Sequence, residues 1–250
     1  MIFVVSDLHL GREPDRDAAI LSDLADCIST VSPDTVIFLG DVFDAFVETP
    51  GRIPAPVHAW GGYVETWLDE DIDVRFVMGN HDRWHREWIE NLTGHAPVRG
   101  HLDLDFGNHA VRLEHGDAGE PHGPLTRFAR WFSDLWIVYR LFTLCMPFGG
   151  AQALATHVSR KAGNPASSPV TARALEAYAR NLLTTHPIHG VLMGHAHLHG
   201  IMPAEDGTWY INTGNWYLGR TFVVLDAQGA SLNEWREGGI RVLGKADLQN

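Results

Sequence analysis

Cysteine is scarce in this chain: Cys27 and Cys145 are the only two among 250 residues, too few for a disulfide framework or a thiolate metal site. Lysine is equally scarce, with Lys161 and Lys245 alone. Basic residues number 19 against 31 acidic ones, a formal net charge of -12. A surface so acidic repels a nucleic-acid backbone, whose binding rests on a Lys/Arg footprint, so no nucleic-acid partner is expected. No run approaches the ~18 uninterrupted apolar residues of a membrane span. Met1 leads straight into an apolar, strand-like run, without a basic n-region, a signal-type apolar core or a small-residue cleavage site. The expectation is a soluble cytoplasmic protein, with peripheral contact on the inner face of a membrane left open. Internal repeats, low-complexity tracts and a Pro/Gly-rich linker are also missing. With 45% hydrophobic residues the chain can bury one sizeable core, so residues 1–250 read as a single domain.

What is present is one device used five times: a short apolar run ending in side chains of metal-ligand type. The run Ile2–Val5 leads to Asp7 and His9, and Thr35–Leu39 leads to Gly40, Asp41 and Asp44. Val74–Met78 leads to Gly79, Asn80, His81 and Asp82, and Ala110–Leu113 to Glu114, His115, Gly116 and Asp117. Gly190–Met193 leads to Gly194, His195 and His197. Between them, 15–30, 56–68 and 169–183 carry helical periodicity. That alternation predicts βαβ units and a largely parallel first sheet, with ligands gathered beyond the carboxyl ends of its strands. The later runs Trp209–Asn212 and Thr221–Leu225 follow without long helices between them, which predicts an antiparallel second sheet.

A lone Asp or His after a strand is more often a turn or cap residue than a ligand, and Asp44, Asp82 and Asp117 can each be read that way. Five blocks in order reverse the balance. Asp, His and Asn offer hard oxygen and borderline nitrogen donors, which favours Mn²⁺, Fe, Zn²⁺ or Mg²⁺ over soft metals. Two such ions need a bridging carboxylate, and together they clamp an in-line displacement at phosphorus.

The set Asp7-x-His9, Gly40-Asp41-x-x-Asp44, Gly79-Asn80-His81-Asp82, His115-Gly116-Asp117 and Gly194-His195-x-His197 resembles the calcineurin-like metallophosphoesterases. The resemblance covers 1–215 and leaves the stretch between Gly119 and Pro187 as the variable part. It implies an α/β fold of two mixed sheets packed face to face and flanked by helices, with a helical cap inserted at about 120–168. It implies one metal held by Asp7, His9, Asp41 and His197, and a second by Asp41, Asn80, His115 and His195, with Mn²⁺ the first choice. By the same likeness His81 stabilises the transition state or protonates the leaving oxygen, and Asp82 or Asp44 orients it.

The segment Leu125–Gly150 is rich in aromatics: Phe128, Trp131, Leu135, Val138, Phe142 and Cys145 follow helical spacing, while Phe132, Trp136, Tyr139 and Leu141 widen the apolar surface. An aromatic stripe is commonly core. Here it falls between the fourth and fifth ligand blocks, where an insertion would overhang the site. It is similar to the helical insert of the UDP-2,3-diacylglucosamine pyrophosphohydrolases, the lipid A branch of the superfamily. Ser159, Arg160, Lys161 and Asn164 resemble the polar run that follows that insert and meets the head group. The resemblance therefore implies a phosphorylated, nucleotide-linked lipid substrate, with Lys161 and Asn164 on its head group. Trp136 and Tyr139 lie off the main stripe and are expected to face that substrate, and Asp117, His122 and His199, close in sequence to the site loops, are candidate further contacts. His81 departs from that branch, which commonly carries Arg there, and matches the superfamily at large. A broad phosphodiesterase or nucleotide phosphatase is the alternative, and a metal-binding interaction scaffold a third. The remaining histidines, His85 among them, read as surface or structural.

Overall fold

The computed structural model describes residues 1–49, 52–85, 87–106, 109–121, 135–145, 168–203 and 207–247, with positions 123, 128, 132, 150 and 153–157. Its elements in chain order are β1 (Ile2–Val5), α1 (Pro14–Val31), β2 (Thr35–Leu39), α2 (Ala55–Asp69), β3 (Asp73–Val77) and α3 (Trp88–Thr93). There follow β4 (His101–Phe106), β5 (His109–Glu114), α4 (Trp136–Cys145), α5 (Pro169–Thr185), β6 (Gly190–Met193), β7 (Gly200–Pro203) and β8 (Trp209–Asn212). The chain closes with α6 (Trp216–Gly219), β9 (Thr221–Asp226), β10 (Gly229–Arg236) and β11 (Gly239–Asp247).

These strands form two mixed sheets, of order β11-β10-β9-β1-β2-β3 and β4-β5-β6-β8-β7. In the first, β1, β2 and β3 run parallel while β9 joins β1 antiparallel. In the second, β5, β6 and β8 run parallel and β4 and β7 close the edges antiparallel. The expected split into a parallel first sheet and an antiparallel second one is therefore wrong. Thr221–Asp226 returns to β1 in the first sheet, and Trp209–Asn212 pairs parallel with β6. The reason is burial: β1, β2, β6 and β8 are apolar on both faces, which suits the interior of a covered sheet whatever their place in the sequence.

Strand alternation distributes the core over three interfaces. Phe3 and Val5, Val36 and Phe38 face α1 and α2, where Leu24, Trp60 and Val64 meet them. Their neighbours Val4, Ile37 and Leu39 point the other way, into the seam between the sheets, against Val111, Leu113, Leu192 and Ile211. Val191 and Met193 pack outward against Leu175, Ala179 and Leu182 of α5. The layers are thus helix, sheet, sheet, helix. Helix α5 starts cleanly because the Ser168 side chain accepts a hydrogen bond from the Thr171 N–H at 3.1 Å and Pro169 occupies its first position. Among the described residues no helix is long and apolar enough to cross a membrane.

The carboxyl ends of β1, β2 and β3 in one sheet, and of β5 and β6 in the other, come together at one edge of the sandwich. Backbone bonds tie them: Asp7 N–H donates to Gly40 O at 3.0 Å, His9 N–H to Asp41 O at 3.1 Å, and Gly194 N–H to His115 O at 3.0 Å.

Candidate metal centre

The side chains released at these strand ends converge. Among the described residues, three groups have ligand atoms within 4.8 Å of one another: Asp7, His9 and His197; His9, Asp41 and His81; and Asp41, His115 and His195. His197 Nε2 lies 3.0 Å from Asp7 Oδ1 and 3.2 Å from His9 Nε2. His115 Nε2 lies 3.3 Å from Asp41 Oδ2, and His81 Nε2 is 3.8 Å from the same oxygen. Asp41 and His9 each belong to two of the three groups, and of the two only Asp41 is a carboxylate.

The backbone is bent to make this possible. Asp7, His9, Asp41, His195 and His197 all have φ between 46° and 64°, a region that non-glycine residues adopt rarely and at a cost. All five are Asp or His, which with Asn are the non-glycine types that tolerate this region best. Two neighbouring glycines are fixed by close approach: a Cβ on Gly79 would lie 2.2 Å from Asp41 Oδ1, and one on Gly194 would lie 2.5 Å from Asp7 Oδ2.

Surrounding groups hold the ligand side chains. The Ser6 hydroxyl donates to Asp7 Oδ2 and lies 2.7 Å from the Thr213 hydroxyl, and the His195 N–H donates to the same Asp7 oxygen at 3.1 Å. The His81 N–H donates to Asp41 Oδ1 at 2.9 Å. His115 Nδ1 donates to Leu39 O at 2.9 Å, which leaves Nε2 facing Asp41. His195 Nε2 meets Glu120 Oε2 at 3.1 Å.

The electrostatics follow from this crowding. Burial works to raise the carboxyl pKa of Asp7, yet the His197 imidazole beside it overrides burial and brings it down to about 2. Burial acts likewise on Asp41, where His115 and His81 hold the carboxyl well below its usual range. For His9, burial dominates and the imidazole falls to about 3, a neutral ring with a lone pair to give. His115 is instead raised, because Asp41 outweighs its desolvation.

This donor set fits a pair of divalent cations. It combines carboxylate oxygens with imidazole nitrogens. The amide oxygen of Asn80, on the loop after β3, is buried and accepts no hydrogen bond, which leaves it a donor atom to spare. Cys27 packs into the α1 core and Cys145 is exposed, so thiolates stay out.

The other expected residues fare unevenly. The ring of His81 is oriented by Asp44, whose backbone carbonyl accepts from Nδ1 at 2.6 Å, while the Asp44 carboxylate takes Arg12 at 2.9 Å. Asp82, expected to serve the catalytic His81 by orienting it, is fully buried and accepts the backbone N–H groups of Gly79 and Asp41 on one carboxylate oxygen. It shapes the loop and has no surface to offer a substrate. Asp117 sits at the rim, its carboxylate 3.5 Å from Arg83. Tyr139, expected to face a ligand, is buried and donates its hydroxyl to Glu48 O at 2.6 Å, with Trp84 beside its ring. Helical spacing puts it, with Val138 and Phe142, on the side of α4 turned to the protein, so exposure falls to Ile137, Leu141 and Leu144. His199 is exposed, and His85 is buried among Phe43, Phe46 and Phe76, a structural position as expected. His122, Lys161, Asn164 and the side chain of Trp136 lie outside the described residues. Sequence reasoning missed Ser6, Thr213 and Glu120, which carry no motif of their own.

Comparison with known proteins gives the chain its family and supports its fold. The chain is 28% identical over 120 residues to the UDP-2,3-diacylglucosamine hydrolase of Porphyromonas gingivalis, a match spanning 46% of this chain and 45% of that protein. It is 24% identical over 254 residues to the protein of the same name from Xanthomonas oryzae pv. oryzae, covering 92% of this chain and 97% of the relative. Among solved structures, a phosphoesterase from E. coli superposes with a TM-score of 0.51 at 13% identity, over 99% of both chains. Vacuolar Protein Sorting 29 from Cryptosporidium parvum does so at 0.50 and 14%, over 100% of this chain and 97% of that one. At such identities the likeness speaks to the fold. The family profile for calcineurin-like phosphoesterases matches residues 1–199, and the chain belongs to that family.

Proposed function

We propose that the chain is a dinuclear metal-dependent hydrolase of phosphoester or phosphoanhydride bonds, with UDP-2,3-diacylglucosamine as its substrate. One observation carries the first half: side chains from five strand ends in two sheets meet around Asp41, which belongs to two of the ligand groups. Asp7, His9, Asp41 and His197 hold one cation, and Asp41, Asn80, His115 and His195 the other. Mn²⁺ suits these oxygen and imidazole donors best. Such a pair, when bound, supplies positive charge at the phosphoryl oxygens and activates water for in-line displacement.

The protein's own groups do the rest. His81 keeps Nδ1 on the Asp44 carbonyl, so Nε2 is the atom turned to the centre. Burial disfavours the charged ring, but Asp41 and that carbonyl outweigh it and raise the His81 pKa. Nε2 is thus the atom placed to hand a proton to the leaving oxygen.

For the substrate, support comes from the two relatives named UDP-2,3-diacylglucosamine hydrolase and from α4, whose Ile137, Leu141 and Leu144 are 53%, 55% and 72% exposed. With Tyr139 engaged on Glu48, these residues take the apolar contact with acyl chains, alongside Trp136. Lys161 and Asn164 are assigned to the head group, and Asp117 and His122 to further contacts with the substrate. In this reading 1–250 is one catalytic domain with a helical insertion at about 120–168, working in the cytoplasm with its substrate drawn from the membrane face.

The test is a Mn²⁺-supported panel: a chromogenic phosphomonoester, a chromogenic diester, a dinucleotide, UDP-diacylglucosamine and its deacylated form. The acylated substrate should win, because each buried methylene is worth about 0.8 kcal/mol. Leu141→Ser with Leu144→Ser should cut its kcat/KM at least tenfold, about 1.4 kcal/mol, and spare the small diester. Equal turnover of acylated and deacylated substrates would replace this reading with a broad phosphodiesterase or nucleotide phosphatase.

A further inference from the structure

We infer that Glu120 is a positioning residue for His195, an assignment that rests on the metal-centre reading above. Glu120 Oε2 lies 3.1 Å from His195 Nε2. A carboxylate can only accept, so this bond requires the proton on Nε2 and leaves the lone pair on Nδ1. Nδ1 is then the ring atom through which His195 reaches the group it forms with Asp41 and His115.

His115 uses the same device with the ring atoms exchanged. Its Nδ1–H donates to Leu39 O, and its Nε2 faces Asp41. The two rings stand 5.1 Å apart at 69°, and each offers the nitrogen that its outer hydrogen bond leaves free. The two acceptors differ in kind. Leu39 O is a neutral carbonyl at the end of a buried strand, whereas Glu120 is charged and its side chain is 33% exposed on the loop after β5.

That loop is seated tightly. Gly119 donates its N–H to Gly116 O at 2.9 Å, and a Cβ on Gly119 would fall 2.7 Å from Tyr178 Cδ1 and 2.9 Å from Leu175 Cδ2. Glu120 is thus delivered to His195 by packing against α5. A charged acceptor makes the opposite ring nitrogen more basic and fixes its direction, the usual service of a carboxylate behind a ligating histidine. Affinity for one of the two cations accordingly depends on a residue that is not itself a ligand.

The experiment compares wild type, Glu120→Ala and Glu120→Gln. Equilibrium dialysis against Mn²⁺ gives the number of ions and both dissociation constants, and nitrogen NMR of the metal-free protein reads the His195 tautomer. Glu120→Ala should weaken one ion about 10–100-fold, leave the other unchanged, and release His195 from the Nε2–H tautomer. Glu120→Gln keeps an accepting oxygen without the charge and should lose less while holding the tautomer. Unchanged constants in Glu120→Ala, an unchanged tautomer, or a Gln variant no better than Ala would overturn the assignment. A wild-type protein that binds no Mn²⁺ would instead remove the metal centre itself.

Discussion

The Asp82 carboxylate accepts a hydrogen bond from the backbone N–H of Asp41 at 2.8 Å, and its same oxygen accepts another from Gly79 at 2.7 Å. One buried side chain therefore clamps the loop after β3 to the loop after β2 and aims the Asp41 side chain. Burial, then the neighbouring Asp41 charge, pushes the Asp82 pKa up to about 7.

Asp82→Ala should leave two buried N–H donors without partners and cost on the order of 2–4 kcal/mol. Asp82→Asn keeps an accepting oxygen and should cost much less. Chemical denaturation of the two variants checks the ordering. Equal losses would mean that the carboxylate charge, and not acceptance, is what the loop needs.

His81→Ala should retain both metals and lose about 10²–10⁴ in kcat. The loss should shrink for substrates with good leaving groups, which need no proton. A uniform loss across leaving groups, measured with a series of substituted phenyl diesters, would assign His81 to charge stabilisation instead.

Gly194→Ala would bring a Cβ within 2.4 Å of Ser6 Oγ and 2.5 Å of Asp7 Oδ2, both fully buried. Asp7 must shift, so elemental analysis should find a metal lost while circular dichroism keeps the folded signature. Gly62→Ala is the contrast: it sits in α2 with open space around the new methyl, and should stabilise the protein by about 0.5–1 kcal/mol.

Glu114 supplies a pH test. Its carboxyl is pushed up to about 7 by burial, against Arg112 and Tyr178, which pull it down. The unfolded chain releases this proton near the ordinary glutamate value of 4.5, while the native state keeps it. Unfolding therefore sheds a proton in that window, and stability falls by up to about 1.4 kcal/mol per pH unit as pH rises from roughly 5 to 7. Glu114→Gln, unfolded with urea in the presence of chelator, should flatten that slope. A variant with the wild-type slope would assign the pH dependence to other groups.

Much of this was legible in the sequence because strand ends are local. Ile2–Val5, Thr35–Leu39 and Gly190–Met193 form with the bounds read from their apolar runs. The residues that follow them are the ones that meet. Sheet membership was not legible, since β8 and β9 are short apolar runs whose partners are chosen by burial on both faces, over long separations. Tyr139 was misjudged for a related reason. Helical spacing tells which residues share a face, and contacts from across the chain, the Glu48 carbonyl and the Trp84 ring among them, decide which face turns inward. Ser6, Thr213 and Glu120 have ordinary polar side chains, and their roles exist only through neighbours distant in sequence.

The central claim is that Asp41 is shared between two cations, and counting ions in the Asp41→Asn variant tests it most directly. After equilibrium dialysis against Mn²⁺, elemental analysis should find two ions per wild-type chain and at least one fewer in the variant, with turnover of a chromogenic diester nearly abolished. An Asp41→Asn protein that holds two ions and turns over at the wild-type rate would contradict the account.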